Sequence, residues 1–241
     1  MPLRPPPIVV TFTDRLHDLM GERLLAVILG GSWSMGDFVD GQSDLDLLVV
    51  LSDELSPRDV DRLGRLHDAL QVEEPDASQL EGDYVPREWL TAIGTTRPVP
   101  VFRHGKLQSR PEMMLSADNI ANMRLDGIAV YGPRPADVLP EVTPDEVREA
   151  VRAMLREQPA AATERAAAEE ILDLVRSLGA IETGSPTTKS DGVRWALEHV
   201  SSRWHPLVLR ADEIRRGSPA NEDIRTLRRA LADMRAELLQ A

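Results

Sequence analysis

Two short apolar runs bracket the stretch that leaves this chain least freedom. Leu24 to Leu29 stops at Gly30-Gly31-Ser32, and Leu45-Asp46-Leu47-Leu48-Val49-Val50-Leu51 is entered through Ser43-Asp44. Apolar runs of this length, bounded by glycine and serine, are strand-like; a Gly-rich turn between them makes them neighbours in one sheet. Residues two apart on a strand point to the same side about 7 Å apart, so Asp44 and Asp46 present two carboxylates together. Like charges so placed repel, and Asp46 lies inside an apolar run, where an unpaired carboxylate costs several kcal/mol or gives up its charge. A divalent cation resolves both problems. Hard oxygen ligands favour Mg²⁺, which binds through one or two carboxylates and keeps several waters. Gly30, Gly31 and Ser32 supply the other half, because a turn without bulky side chains lets backbone N–H groups and the Ser32 hydroxyl approach phosphate oxygens. A metal beside a phosphate cradle points to phosphoryl-type chemistry.

The charge balance excludes other classes. With 28 Lys+Arg against 40 Asp+Glu in 241 residues, the formal charge is −12. A protein that tracks a nucleic-acid backbone needs a basic face, so nucleic acid is not the expected partner. At 42% hydrophobic residues the chain can bury a core, and its length allows one or two domains. There is no cysteine, hence no disulfide and no thiolate metal site. The five histidines, His17, His67, His104, His199 and His205, show no His-x-x-x-His spacing, which speaks against structural zinc. The start, MPLRPPPIVVTF, lacks a secretory apolar run, and no stretch approaches the ~20 apolar residues of a membrane span. The expectation is a cytoplasmic monomer with no membrane association.

The two halves differ in texture. Residues 57–70 carry Val60, Leu63, Leu66 and Leu70 at helical spacing, which predicts an amphipathic helix covering the sheet. A segment at 80–85 follows, then a polar, proline-punctuated stretch to about Arg110 and a last strand at 127–131. Tyr131-Gly132-Pro133-Arg134-Pro135 marks a boundary. Beyond it Thr143-Pro144-Asp145-Glu146 combines a cap, a proline at the first helical position and a capping-box acid. Further helices are expected near 160–178, 190–203, 206–216 and 219–239, separated by Gly179, Gly184, Pro206 and Gly217. No repeat is present.

The order apolar-Gly-Gly-Ser, a loop, then Asp-apolar-Asp-apolar resembles the signature of the polymerase β-like nucleotidyltransferase superfamily. The likeness extends further. Gly127-Ile128-Ala129-Val130-Tyr131-Gly132-Pro133, then Leu174-Val175-Arg176-Ser177, Thr183-Gly184, Pro186-Thr187-Thr188-Lys189-Ser190 and Trp195-Ala196, are similar to the aminoglycoside 3″-adenylyltransferases that inactivate streptomycin and spectinomycin. The resemblance implies an α+β protein: a nucleotidyltransferase domain over 1–140, with a mixed sheet and flanking helices, and an α-helical bundle over 141–241 that closes the cleft for ATP and substrate. It implies that Asp44 and Asp46 ligate Mg²⁺ and that Gly31, Ser32 and Ser43 lie at the nucleotide phosphates. Glu81 best matches the family's general base, with Asp83, of the same strand parity, in reserve. Arg176 and Lys189 match a family Arg and Lys that hold the triphosphate.

The implied reaction is transfer of AMP from ATP to a hydroxyl of an aminoglycoside-like small molecule, which inactivates an antibiotic. Alternatives are a protein or tRNA acceptor, the latter disfavoured by the charge, and a non-catalytic nucleotide-binding module. Departures from the family bear on the acceptor: 103–108 contains no Trp, 158–170 contains no Asp, and residue 166 is alanine where streptomycin-modifying relatives carry an Asp. Glu164, Glu169, Glu170 and Asp173 are candidate replacements, against the plainer reading of a solvated helix face. Trp33 and Phe38 read as packing residues, Trp195 and Trp204 as holding the bundle together, and Arg215 as an adenine contact.

Overall fold

The computed structural model describes residues 4–91, 98–108, 116–157, 161–221 and 223–239. Contacts divide the chain into two compact units: Met1–Phe38 with Ser43–Val142, and Val39–Gln42 with Thr143–Ala241.

The first unit is a six-stranded mixed sheet with helices. Helix α1 (Pro7–Met20) starts on a proline, whose fixed φ suits a first helical turn, and buries Ile8, Val9, Phe12, Leu16 and Met20. Strand β1 (Leu24–Leu29) leads through the short turn α2 (Gly31–Ser34) to β2 (Leu45–Leu51). The two strands pair antiparallel, as the Gly-rich connection requires. Helix α3 (Pro57–Glu73) then makes the crossover that a parallel neighbour needs, opening with a reciprocal capping box between Ser56 and Asp59. Strand β3 (Leu80–Pro86) runs parallel to β2, pairing Asp46 with Glu81. Strands β4 (Val101–Arg103) and β5 (Lys106–Leu107) form a hairpin on β3. Helix α4 (Ala117–Leu125) precedes β6 (Ile128–Tyr131), which closes the opposite edge beside β1, and α5 (Pro135–Val138) follows. The strand order is β5-β4-β3-β2-β1-β6.

Alternation along the strands assigns the faces. Leu45, Leu47, Val49 and Leu51 pack with Phe12 and Leu16 of α1 and Leu63 and Leu70 of α3. Leu48, Val50 and Val85 pack with Ile120 of α4 on the other face. Asp46, Glu81 and Asp83 share the parity of this second set, so the acids line up at the strand mouths while the first face keeps an unbroken apolar layer.

The second unit is helical. Helix α6 (Pro144–Glu157) begins where the sequence predicts: the Thr143 N–H donates to Glu146 Oε2 at 2.8 Å and the Glu146 N–H donates back to Thr143 Oγ1 at 3.3 Å. Helix α7 (Glu164–Thr183) is capped by Thr163 and runs through Gly179 to stop at Gly184, which sits at φ +69°. Gly179 is therefore not a helix boundary; it lies inside α7 with the Trp195 ring against it. Helix α8 (Lys189–His199) has a Thr188–Asp191 capping box and ends before the expected Arg203. Helix α9 (His205–Arg215) opens at Pro206, in its first turn. Helix α10 (Ile224–Leu238) starts later than residue 219 because Asp223 is its cap. The expected helix start at residue 160, part of the 158–170 stretch, and Arg110 lie outside the described residues. No helix among the described residues is long and apolar enough to cross a membrane.

Candidate active site

The site in the first unit is built on the turn after β1. The Gly30 N–H donates to the Asp46 carbonyl at 2.9 Å, joining the end of β1 to β2. Gly31 adopts φ +60°, and a Cβ at that position would lie 1.8 Å from Asp46 Oδ2. Only glycine satisfies both conditions, so the Asp46 carboxylate occupies the space a side chain would take. The Gly31 N–H is already used, donating to Asn122 Oδ1 at 2.9 Å. Gly31 thus serves the turn through its missing side chain and through the hydrogen bond it donates to Asn122. Ser32 follows in the turn, its carbonyl accepting from the Asp37 N–H at 2.9 Å, and Ser43 directly precedes Asp44. Trp33 and Phe38 meet edge-on at 4.8 Å and pack against the first-face core.

Glu81 stands opposite Asp46 in the parallel register. Its carboxyl, together with Asp44 and His104, places one ligand atom from each residue within 4.8 Å of the others. The structure thus brings Asp44 to Glu81, while the Asp46 carboxylate is turned against the glycine turn. Burial first, and then the neighbouring Asp44 charge, push the Glu81 carboxyl above its ordinary value; the His104 N–H, Arg103 and the His104 ring oppose this. Asp83 is held elsewhere: Arg103 Nη2 reaches Asp83 Oδ1 at 3.3 Å and Arg103 Nη1 donates to the Gly82 carbonyl at 3.2 Å. Of the two candidate bases, Glu81 is the one beside Asp44.

His104 is the residue that sequence spacing misses. It heads the β4–β5 turn at φ +49°, followed by Gly105 at φ +69°. Its N–H donates to Glu81 Oε1 at 3.3 Å, and its Nδ1 lies 3.5 Å from the same oxygen. The turn is anchored from below: the Gly105 N–H donates to the Leu80 carbonyl at 2.7 Å, and the Gly105 carbonyl accepts from His67 Nδ1 at 3.0 Å. His67 Nε2 in turn accepts from the Tyr84 hydroxyl at 2.8 Å. Buried among Phe12, Tyr84 and Phe102, this imidazole is pushed down to about 4 by burial, so it is neutral at pH 7.

The second unit gathers its own charged set. Arg176 Nε donates to Asp173 Oδ1 at 2.8 Å, and Lys189 Nζ lies 3.8 Å from the same oxygen while also pairing with Glu169. Burial would raise the Asp173 carboxyl, but Arg176 and Lys189 outweigh it and hold the group below its ordinary value. The two cations named from sequence thus converge on one carboxylate, where α7 and α8 touch so closely that a Cβ on Gly192 would lie 2.5 Å from the Arg176 nitrogen. Glu169 and Asp173 are engaged in these pairs. Arg215 is buried, bonded to Asp212 Oδ1 at 3.1 Å and Ser190 Oγ at 2.9 Å.

Residues 137–241 match the family model described as the aminoglycoside adenylyltransferase C-terminal domain. The match covers the C-terminal part of the chain, less than half of its length. Arg176, Lys189 and Arg215 all lie within the matched residues. Among solved structures, the spectinomycin adenyltransferase AAD(9) from Enterococcus faecialis, determined with ATP and spectinomycin, aligns over 92% of this chain and 98% of its own at a TM-score of 0.69 and 17% identity. That alignment shows the same α+β fold across both units. A toxin-antitoxin structure with AMP-PNP aligns over 61% of this chain and 87% of its own at 16% identity, with a TM-score of 0.30, too low to establish a shared fold. No curated protein matches the chain.

Proposed function

We propose that the protein transfers AMP from ATP to a hydroxyl group of an aminoglycoside-like small molecule, with Mg²⁺ held by Asp44 and Asp46. The carrying observation is the meeting of Asp44 and Glu81 at the mouth of the parallel β2–β3 pair, next to a glycine turn shaped around Asp46. The donor chemistry fits a hard divalent cation: Asp44 lies beside Glu81, whose carboxyl is pushed up by burial first and then by the Asp44 charge, and positive charge relieves that crowding. When bound, such an ion polarises phosphate oxygens and offsets the charge that develops on them.

The residues of the chain do the rest. Ser32, in the turn, and Ser43, directly before Asp44, supply hydroxyl donors for phosphate oxygens. Arg176 and Lys189, preorganised on Asp173, supply positive charge for the polyphosphate. Glu81 accepts the proton of the acceptor hydroxyl as its oxygen attacks the α-phosphorus; the P–O bond to the β-phosphate breaks and pyrophosphate leaves. A carboxyl whose proton affinity is raised towards the working pH is a better base for this step than an ordinary one. The −12 charge suits a polycationic acceptor, which an acidic protein attracts over long range.

The test is a panel assay with ATP, Mg²⁺ and a series of aminoglycosides and aminocyclitols, following pyrophosphate release and an adenylylated product. At least one panel member should yield both. Pyrophosphate release with no adenylylated panel member would refute the acceptor class, and absence of both would refute adenylyl transfer to this class of compound.

A further inference from the structure

Asn122, on α4, is 8% exposed and far in sequence from the Gly30-Gly31-Ser32 turn and from Asp44 and Asp46. Its Oδ1 accepts the Gly31 N–H at 2.9 Å, which fixes the orientation of the amide, because a backbone N–H needs an oxygen opposite it. The other half of the group, Nδ2, is then a buried donor with no hydrogen-bond partner among the described residues. Buried polar groups in folded proteins are almost always paired, and an orphaned donor is costly. An aspartate at this position would accept the Gly31 N–H more strongly and leave no donor unsatisfied, yet the chain keeps an amide and its spare donor. The amide is planar and small, so Nδ2 lies beside the same turn that Gly30, Gly31 and Asp46 build.

We infer that Asn122 is a phosphate-binding residue of the nucleotide site, its Oδ1 setting the glycine turn and its Nδ2 donating to a phosphate oxygen of ATP. This rests on the nucleotide reading above and adds to it a residue of α4 bonded to the turn. A hydrogen bond to a charged oxygen corresponds to roughly tenfold or more in affinity. Replacing that donor by a carboxylate adds repulsion.

The test is calorimetric titration of the full chain with Mg²⁺–ATP and, separately, with adenosine, for the wild type, Asn122→Asp and Asn122→Ala, with thermal unfolding of each. Asn122→Asp keeps the acceptor for Gly31 and loses the donor; Asn122→Ala loses both without adding charge. The expected order of ATP affinity is wild type, then Asn122→Ala, then Asn122→Asp, the last weaker than wild type by more than about tenfold, with adenosine affinity unchanged in all three. If Asn122→Asp binds ATP as the wild type does, or better than Asn122→Ala, the residue only holds the turn and the inference is overturned. A wild type that binds no ATP refutes the nucleotide reading itself, and this inference with it. If Asn122→Ala does not fold, Asn122→Ser, which also lacks the amide donor, takes its place in the series.

Discussion

Replacing Gly31 by alanine tests the geometry of the turn with the least chemical change. Two separate costs are visible. The backbone at φ +60° is left-handed, which costs an alanine about 1–2 kcal/mol relative to glycine. The new methyl would also lie 1.8 Å from Asp46 Oδ2 and 2.7 Å from its Cγ, so the carboxylate must leave its place. The second cost exists only while Asp46 carries its carboxylate. In an Asp46→Ala background the nearest atom of residue 46 is the Cβ, 3.0 Å away, a contact eased by a shift of a few tenths of an ångström. A double-mutant cycle by urea unfolding therefore separates the two. Gly31→Ala should cost more than about 2 kcal/mol in the wild type and only the ~1–2 kcal/mol backbone share in the Asp46→Ala background, a coupling within the range expected for side chains in contact. Equal costs in the two backgrounds, or a cost below about 0.5 kcal/mol in the wild type, would show that Asp46 does not occupy the space at Gly31.

Other outcomes follow from single groups. His67 is neutral when folded, with its ionisation lowered from 6.5 to about 4 by burial. Its contribution is fully present above pH 6.5 and falls away as pH drops towards 4; at ~1.4 kcal/mol per pH unit this amounts to about 3 kcal/mol. Urea unfolding between pH 7 and 4.5 should show that slope, and a His67→Gln variant a shallower one; identical slopes would contradict the assignment. Glu81→Gln should lower adenylyl transfer by about 10²–10⁴-fold while ATP still binds. Because burial and Asp44 raise the Glu81 carboxyl, its stabilising share is present below its unfolded value and lost as pH rises through the folded one. Glu81→Gln should therefore unfold at a higher temperature than wild type at pH 7, by a margin that narrows towards pH 4, and a margin constant with pH would contradict this. Gly179→Ala should stabilise the protein by about 1 kcal/mol, since glycine is a poor interior helix residue and the added methyl would meet the Trp195 ring at an ordinary 3.5 Å; a loss of stability in thermal unfolding would mean that the ring packs closer than this.

Strands β1 and β2 were legible because each is a short apolar run bounded by glycine or serine, whereas β3, with Glu81, Gly82 and Asp83 in it, stood out only as a segment over 80–85. The helical half was legible through its caps: Thr143 with Glu146 is a local signal needing no tertiary information. Other elements were not. Helix α1 carries its own signs, a leading proline and Ile8, Phe12 and Leu16 at fourfold spacing, but the run of prolines ahead of them obscures a helix start. Strands β4 and β5 are three and two residues long, too short for any periodicity to show. Gly179 looks like a helix end because glycine usually marks one, whereas here it makes room for an aromatic ring from another helix. His104 and Asn122 reach the site through a hairpin turn and a helix from distant parts of the chain. Both contacts depend on folding that no local pattern encodes.

The measurement that bears most directly on the account is the fate of label from ATP. With Mg²⁺ and a responsive acceptor, label on the α-phosphate should appear in the acceptor, label on the γ-phosphate should appear only in pyrophosphate, and Asp44→Asn and Asp46→Asn should abolish both transfers. Label from the γ-phosphate on the acceptor, or full transfer by either aspartate variant, would contradict it.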